Sequence, residues 1–358
     1  MVFNSIFFIF CFLPVFMLIY YLIPGKLRNL LLFLGSLIFY AWGEPVYVIL
    51  MLFSSIFNYY MGTELERLYY DDRKQKINLV FSIIINLAVL VFFKYYGFLL
   101  NTIGGITGIH IPHPELSLPI GLSFYTFRNL SYLFDIYLSK VSAQRNFLTF
   151  AVYSTMFPYT SAGPIVRYMD IETQLKQRTI NISKFGIGAE LFVKGLAKKV
   201  LLADNLSILY SSICGHPQMS VFTSWLGILA YTMQLYFDFS GYSDMAIGLG
   251  KMLGFDFNKN FDYPYISTSV SEFWRRWHIS LGSWFRDYIY IPLGGNRVST
   301  LKHIRNILVV WALTGLWHGA SWNFVLWGVY YGLFLLLEKF VLQKYLKKIP
   351  SWLCTVYT

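Results

Sequence analysis

The sequence predicts an all-α, polytopic membrane protein, and three observations carry that prediction. Of 358 residues, 56% are hydrophobic and 20% aromatic, while only 13% are charged. Soluble domains carry about twice that charge. Mean hydropathy is +0.51. Apolar runs recur along the whole chain, at about 4–22, 30–43, 46–61, 78–100, 117–138, 147–163, 185–213, 222–250 and 306–337. A full span needs about 20 apolar residues, and a short or re-entrant segment fewer.

The boundaries between these runs are readable in turn. The N-terminus lacks a basic n-region and a small-residue cleavage site, so residues 4–22 are expected to remain as a membrane segment. Gly43-Glu44-Pro45 reads as a tight turn between two short helices. Basic residues then set orientation. Lys26 and Arg28, then Arg67, Arg73, Lys74 and Lys76, then Lys140 and Arg145, and finally Lys339, Lys344, Lys347 and Lys348 occupy the polar intervals. Placed on the cytoplasmic side, they put the N-terminus, the 43–45 turn and the loop carrying His110 and His113 outside. Beyond residue 145 the segments are too broken to orient by charge. The same asymmetry accounts for the net charge of +11, and nucleic acid is not an expected partner. Cys11, Cys214 and Cys354 show neither metal spacing nor a disulfide framework, and no metal is expected. No Walker loop, dinucleotide fingerprint, fixed-period repeat or long linker is present. The expectation is one membrane domain over residues 1–358.

Polar side chains in apolar surroundings are costly and mark candidate functional sites. Four stretches qualify. The first is the run 306–337, which contains no Lys, Arg, Asp or Glu. As one straight helix it would be about 48 Å long, against a hydrocarbon core of about 30 Å. It must tilt, bend or break. The natural break is Thr314 to Asn323, where glycines flank Trp317-His318. His318 reads either as a histidine hydrogen-bonded between helices or as a general base. Burial disfavours a charged imidazolium and leaves a nitrogen lone pair to accept a proton. Asn323, five residues on, could orient it or bind substrate.

The second stretch is Tyr263 to Arg297. Ser269 and Glu272 fit a capping box, which starts a helix. Trp274, Trp277, Leu281, Trp284 and Tyr288 would share one face of it, with Glu272, Arg276, Ser283 and Asp287 on another. That suits a helix lying in or dipping below the interface. An aromatic anchor explains the tryptophans and some arginines, but His278 and the turn Pro292 to Arg297 less well. Eight of the ten tryptophans follow residue 270, beside both histidines. The third stretch, Gln234 to Asp244, holds Asp238 and Asp244. Six residues apart on a helix, they point in different directions. They read either as internal ion pairs, with Arg275 or Arg276 as candidate partners, or as part of a substrate path. In the fourth, Phe157 to Arg167, two prolines and a glycine break any helix, and Arg167 marks a cytoplasmic end or contacts an anionic donor.

At these residues the chain resembles a known family. Trp274-Arg275-Arg276-Trp277-His278, Tyr290 to Asn296, and Gly315-Leu316-Trp317-His318-Gly319 look like the membrane-bound O-acyltransferases (MBOAT), closest to their AlgI-like alginate O-acetylation branch. Leu118 to Phe127 and Ala162 to Arg167 extend the resemblance over most of the chain. D-alanine transfer proteins are more distant relatives. The resemblance implies a helical bundle around a central tunnel, with the near-invariant histidine, His318, at its narrow centre and His278 as the second polar position. It implies acyl transfer across a bacterial cytoplasmic membrane. The donor would be a cytosolic acyl thioester, in this branch acetyl-CoA, with no bound cofactor. The acceptor would be an exported polysaccharide, served by an extracytoplasmic partner with a serine-hydrolase (SGNH-hydrolase-like) fold. The expected site comprises His318 and His278 as catalytic residues. Asn323, Trp317, Arg275, Arg276, Asp238 and Asp244 are expected on the substrate side. Relatives have Gln and Leu-Ile where Tyr159, Thr160 and Ser161 stand, and Gln in place of Arg128. Many relatives also continue with further spans after the histidine run, whereas this sequence stops at Thr358, which reads either as a short member of the family or as a truncated chain. Three rival readings are transfer of D-alanine or another acyl group to a cell-wall polymer, a transporter or channel, and a structural subunit of a synthase.

Overall fold

The structure, a computed structural model, describes residues 1–109, 111–114, 116–216 and 218–358; His110 therefore lies outside it. The described residues form helices joined by turns, with no β-strand among them. The main helices in chain order are α1 (Phe8–Leu22), α2 (Arg28–Ala41), α3 (Val48–Arg67), α4 (Asp72–Thr107), α5 (Leu122–Tyr137), α6 (Phe147–Thr155), α7 (Tyr168–Lys176), α8 (Ile182–Ala197), α9 (Asp204–Cys214), α10 (Val221–Met252), α11 (Val270–Arg276), α12 (Ile279–Phe285), α13 (Thr300–His318) and α14 (Trp322–Leu337). By length and composition, Val48–Arg67, Asp72–Thr107 and Trp322–Leu346 are long and apolar enough to cross a membrane, and Phe8–Leu22 is a shorter apolar helix. The chain is a polytopic helical membrane protein. The turn predicted at 43–45 separates α2 from α3 as expected.

Local chemistry sets the helix starts. Asp71 accepts from the Lys74 amide at 3.1 Å to open α4, and Asn181 accepts from the Lys184 amide at 2.7 Å to open α8. Ser220 does the same for Thr223 at 3.2 Å at the start of α10. Each short polar side chain satisfies an amide that the first turn leaves without a partner.

The chain divides into two compact units, residues 1–59 with 144–259, and residues 60–143 with 260–358. In the first, α8 and α10 meet through glycines. A Cβ on Gly195 would sit 2.5 Å from the Gly241 carbonyl oxygen, and one on Gly248 would sit 2.6 Å from that of Gly188. Both pairs are seven residues apart on their helices, so one small-residue face lies on another. Asp238 and Asp244 are on α10. Their partners are not the arginines at 275 and 276. Asp238 pairs with Lys199 at 2.7 Å and Asp244 with Lys198 at 2.6 Å, both just beyond α8. Arg167 pairs with Asp170 at 3.1 Å, at the head of α7.

In the second unit, the run 306–337 breaks where the sequence indicated. α13 ends at His318, and α14 begins at Trp322. The chain does more than bend, because α14 folds back along α13. A Cβ on Gly315 would meet the Phe324 carbonyl oxygen at 2.3 Å, and one on Gly328 would meet that of Trp311 at 2.3 Å. The result is an antiparallel hairpin whose tip follows His318. Position along the run therefore does not report depth in the membrane.

One expectation is corrected. Residues 269–288 do not form a continuous helix with a single tryptophan face. The Ser269 hydroxyl does cap α11, accepting from the Glu272 amide at 3.1 Å. The chain then breaks at Trp277-His278, where His278 has φ 46° and ψ 52°, and α12 starts afresh. A left-handed histidine is uncommon and needs surrounding structure to hold it. α12 and the residues after it turn to α5 instead. Trp284 stacks on Phe127 at 4.1 Å and donates its indole N–H to the Phe127 carbonyl at 2.9 Å. The Tyr288 hydroxyl donates to buried Asp135 at 2.9 Å.

Two outcomes test these features. Gly328→Val places methyl groups where the Trp311 carbonyl lies. It is expected to cost about 1–3 kcal/mol or more, read as a lower melting midpoint of the detergent-solubilised protein. Glu272 is held down to about 2, first by the Thr268 amide that donates to it and then by Arg276. A carboxylate depressed in the folded state contributes stability that is complete above its unfolded value near 4.5 and is lost as pH falls toward about 2. Glu272→Gln is therefore expected to melt lower than the parent at pH 7, with the gap closing as pH falls below about 4.

Candidate active site

The site assembles at the two breaks. At the first, Asn260 takes over the backbone groups that a continuous helix would have satisfied. Its carbonyl accepts from the Ile279 amide at 3.0 Å. Its side-chain Oδ1 accepts from the Ser280 amide at 3.2 Å and from the Ser280 hydroxyl at 2.8 Å. The same Oδ1 lies 3.1 Å from His278 Nδ1. An amide N–H can only donate, so this Asn260 atom is the oxygen and His278 Nδ1 is the protonated nitrogen. In the neutral ring, Nε2 then carries the lone pair. His278 is only 3% exposed.

At the second break, His318 is the last residue of α13. It is exposed, unlike His278, and it lines a cavity of about 880 Å³ that His278 also lines. Its ring packs steeply inclined to Trp317 at 4.9 Å and to Trp327 at 4.8 Å, and lies near Phe324. Among the described residues, neither ring nitrogen has a recorded hydrogen bond. His318 is therefore a ring packed between aromatic neighbours at the cavity wall, with its polar atoms uncommitted among the described residues. Trp317 bridges the two breaks, 5.7 Å from the His278 ring. Its buried indole N–H has no partner among the described residues, and neither has that of Trp274.

The cavity has an apolar body and a basic rim. Trp274, Leu281, Phe285 and Trp311 line the body, while Arg275, Arg286, Lys339 and Lys347 supply the charge. Buried Glu338 holds one wall in place. It accepts from the amides of Val270 at 2.7 Å and Ser271 at 3.0 Å, at the start of α11, where a carboxylate is favoured. Beside it, Lys339 Nζ and the Tyr290 hydroxyl both lie within hydrogen-bond distance of His303 Nε2, at 3.2 and 3.0 Å. Among the described residues, no group of three His, Cys, Asp or Glu side chains could hold a metal ion.

Among the sequence candidates, His318, His278 and Arg275 line this cavity, and Trp317 packs against both histidines. Arg276 is held by Glu272 at 2.8 Å and Asp262 at 3.5 Å. Asn323 is exposed in the first turn of α14 and does not line the cavity. Asp238 and Asp244 are on α10 of the first unit and do not line it either. Sequence reasoning missed Asn260, Glu338 and Lys94. For Lys94 a signal existed, because it is the one charged residue between Lys76 and Glu115. Its ammonium donates to the Trp317 carbonyl, next to His318.

Comparison with known proteins agrees with the family resemblance. The family model described as MBOAT, membrane-bound O-acyltransferase family, matches residues 42–348. The chain is 44% identical over 343 residues to a probable alginate O-acetylase, AlgI, of Pseudomonas aeruginosa. That match covers 95% of this chain and 66% of the relative. A peptidoglycan O-acetyltransferase of Helicobacter pylori is 34% identical over 99% of this chain and 75% of the relative. A teichoic acid D-alanyltransferase of Bacillus subtilis is 29% identical over 68% of this chain and 64% of the relative. The chain thus spans about two thirds of the length of the first of these relatives. The chain belongs to the membrane-bound O-acyltransferase family.

Proposed function

We propose that this protein is an O-acetyltransferase of a bacterial cytoplasmic membrane. It takes an acetyl group from cytosolic acetyl-CoA and delivers it for O-acetylation of an exported polysaccharide, with residues 1–358 working as one membrane domain. One observation carries the reading: a single cavity is lined both by lysines at the feet of the α13–α14 hairpin and by the two histidines at the helix breaks. The hairpin feet hold Lys302 and Arg305 on one side and Lys339, Lys344, Lys347 and Lys348 on the other, which favours a cytoplasmic location for them. The basic rim suits the phosphates of a coenzyme A thioester, and the apolar body suits its uncharged arm. The 44% identity to an alginate O-acetylase, against 29% to a D-alanyltransferase, favours acetyl over D-alanyl transfer. An extracytoplasmic SGNH-hydrolase-like partner fits the delivery of acetyl groups beyond the membrane.

The chemistry follows from the two rings. His318 takes the proton of the acceptor hydroxyl while its oxygen attacks the thioester carbonyl. The C–S bond breaks, and the imidazolium returns the proton to the departing thiolate, leaving an ester and a free thiol. His278, with Nδ1–H committed to Asn260, keeps Nε2 as an acceptor that steadies an N–H of the donor beside His318. The aromatic walls exclude water that would otherwise hydrolyse the thioester. Arg275 and Trp317 stay with the donor side, and Asn323, past the break, belongs to the acceptor side. Arg276, Asp238 and Asp244 support their own helices through their ion pairs.

His318→Ala is expected to reduce CoA-dependent acetylation in membranes by about 10²-fold or more at unchanged insertion. Full activity in an inserted His318→Ala protein excludes the base assignment, and solute flux without acetyl transfer would instead favour a transporter. Asn260→Ala releases His278, and the rate should fall about 10–100-fold, as expected for a misplaced group. An unaltered rate removes His278 from the reaction.

A further inference from the structure

The break that exposes His318 also leaves α13 with an open C-terminal end. The last four carbonyls of a helix lack partners within it, and here they belong to Gly315, Leu316, Trp317 and His318. The Gly319 amide reaches the Gly315 carbonyl at 3.3 Å. The next two are taken by α4: the Tyr95 hydroxyl donates to the Leu316 carbonyl at 2.7 Å, and the Lys94 ammonium donates to that of Trp317. The ammonium also stands 5.7 Å from the Trp317 ring centroid, within cation–π range. Both donors are adjacent on α4, and both act on the two residues preceding His318.

A lysine in the middle of a spanning helix is costly, so its retention calls for a compensating role. The end of α13 supplies one. A helix C-terminus carries partial negative charge on its unsatisfied carbonyls, and a cation there is stabilising. Among the described residues, α4 has no other charged side chain between Lys76 and its end at Thr107. Removing the ammonium would leave the Trp317 carbonyl free to continue or fray the helix, and either change would swing the next side chain.

We propose that Lys94, seconded by Tyr95, is a positioning residue for His318: it fixes the last carbonyls of α13, so that the helix stops where the imidazole meets the cavity. The role rests on His318 being the acyl-transfer base. It predicts an effect on the rate of the bound complex rather than on donor affinity, because Lys94 does not line the cavity.

The test uses the full chain in membranes, with CoA release from acetyl-CoA measured per inserted molecule. Lys94→Met should lower the maximal rate about 100-fold, the loss expected when a reacting group shifts by about 1 Å. The acetyl-CoA concentration for half-maximal rate should stay within about threefold of the parent. Lys94→Arg, which keeps a cationic donor, should recover most of the rate, and Tyr95→Phe should show a smaller loss than Lys94→Met. A readout that needs no turnover accompanies these: carbethoxylation of His318 by diethyl pyrocarbonate, followed by mass spectrometry, should change at least about threefold in Lys94→Met while that of His303 does not. A Lys94→Met protein with the parent's rate and unchanged His318 labelling, alongside an inactive His318→Ala, overturns the positioning role and leaves the base assignment standing. A rate loss in Lys94→Met that Lys94→Arg does not restore, with His318 labelling unchanged, also overturns it and makes Lys94 purely structural. Activity in His318→Ala removes the base assignment and the positioning role together.

Discussion

A helix that stops in apolar surroundings strands its terminal amides and carbonyls, and no water is at hand to take them. The second unit of this protein is organised around that constraint, because the two histidines that line its cavity, His278 and His318, sit at helix ends. Each end has a dedicated side chain. Asn260 receives the amides at the start of α12, and Lys94 and Tyr95 cover the carbonyls at the end of α13. Glu338 does the same for the first amides of α11. Most of the polar groups around the cavity thus have a structural task that comes before any chemical one. His318 differs in that it lines the cavity and its ring nitrogens make no hydrogen bond to the described residues. The division of labour gives a physical reason to place the chemistry on that ring.

Fold class and the position of the main break were legible in the sequence because both are local properties. Composition and run length announce a membrane helix, and glycines flanking Trp317-His318 announce a break within a run too long to stay straight. The capping box at Ser269 and Glu272 was legible for the same reason. The second break was not, since His278 leaves the helical region only because Asn260, 18 residues earlier, offers its backbone neighbours other partners. Periodicity alone carried the helix through. The reversal of α14 along α13 also lay beyond a pattern argument, because glycines permit close packing without saying which helix will approach. Lys94 was concealed by distance, acting on a carbonyl 223 residues away. Ion pairing of Asp238 and Asp244 was one of two readings the spacing left open, and their partners depend on which helix α10 packs against, which spacing does not reveal.

The charges sort by environment in a way that matches their separate uses. Arg276 and Asp262 are bound up in short-range pairs near α11. Of the cations that line the cavity, Arg286 is paired with Asp287 at 2.7 Å, while Arg275, Lys339 and Lys347 outnumber Glu338, whose carboxylate is already engaged with two amides. A cavity with surplus positive charge at its rim and aromatic walls favours a molecule that is anionic at one end and neutral at the other.

The glycine crossing of α13 and α14 has a mechanical consequence. With Gly315 and Gly328 so close that neither has room for a methyl group, the two helices have no soft layer of side chains between them. Close-packed surfaces of this kind resist sliding, as a keyed joint does. The hairpin should then behave as one stiff lever with His318 near its tip. Any widening or narrowing of the cavity must come from the opposite wall, α11, α12 and the segment around Cys354, while the imidazole keeps its station.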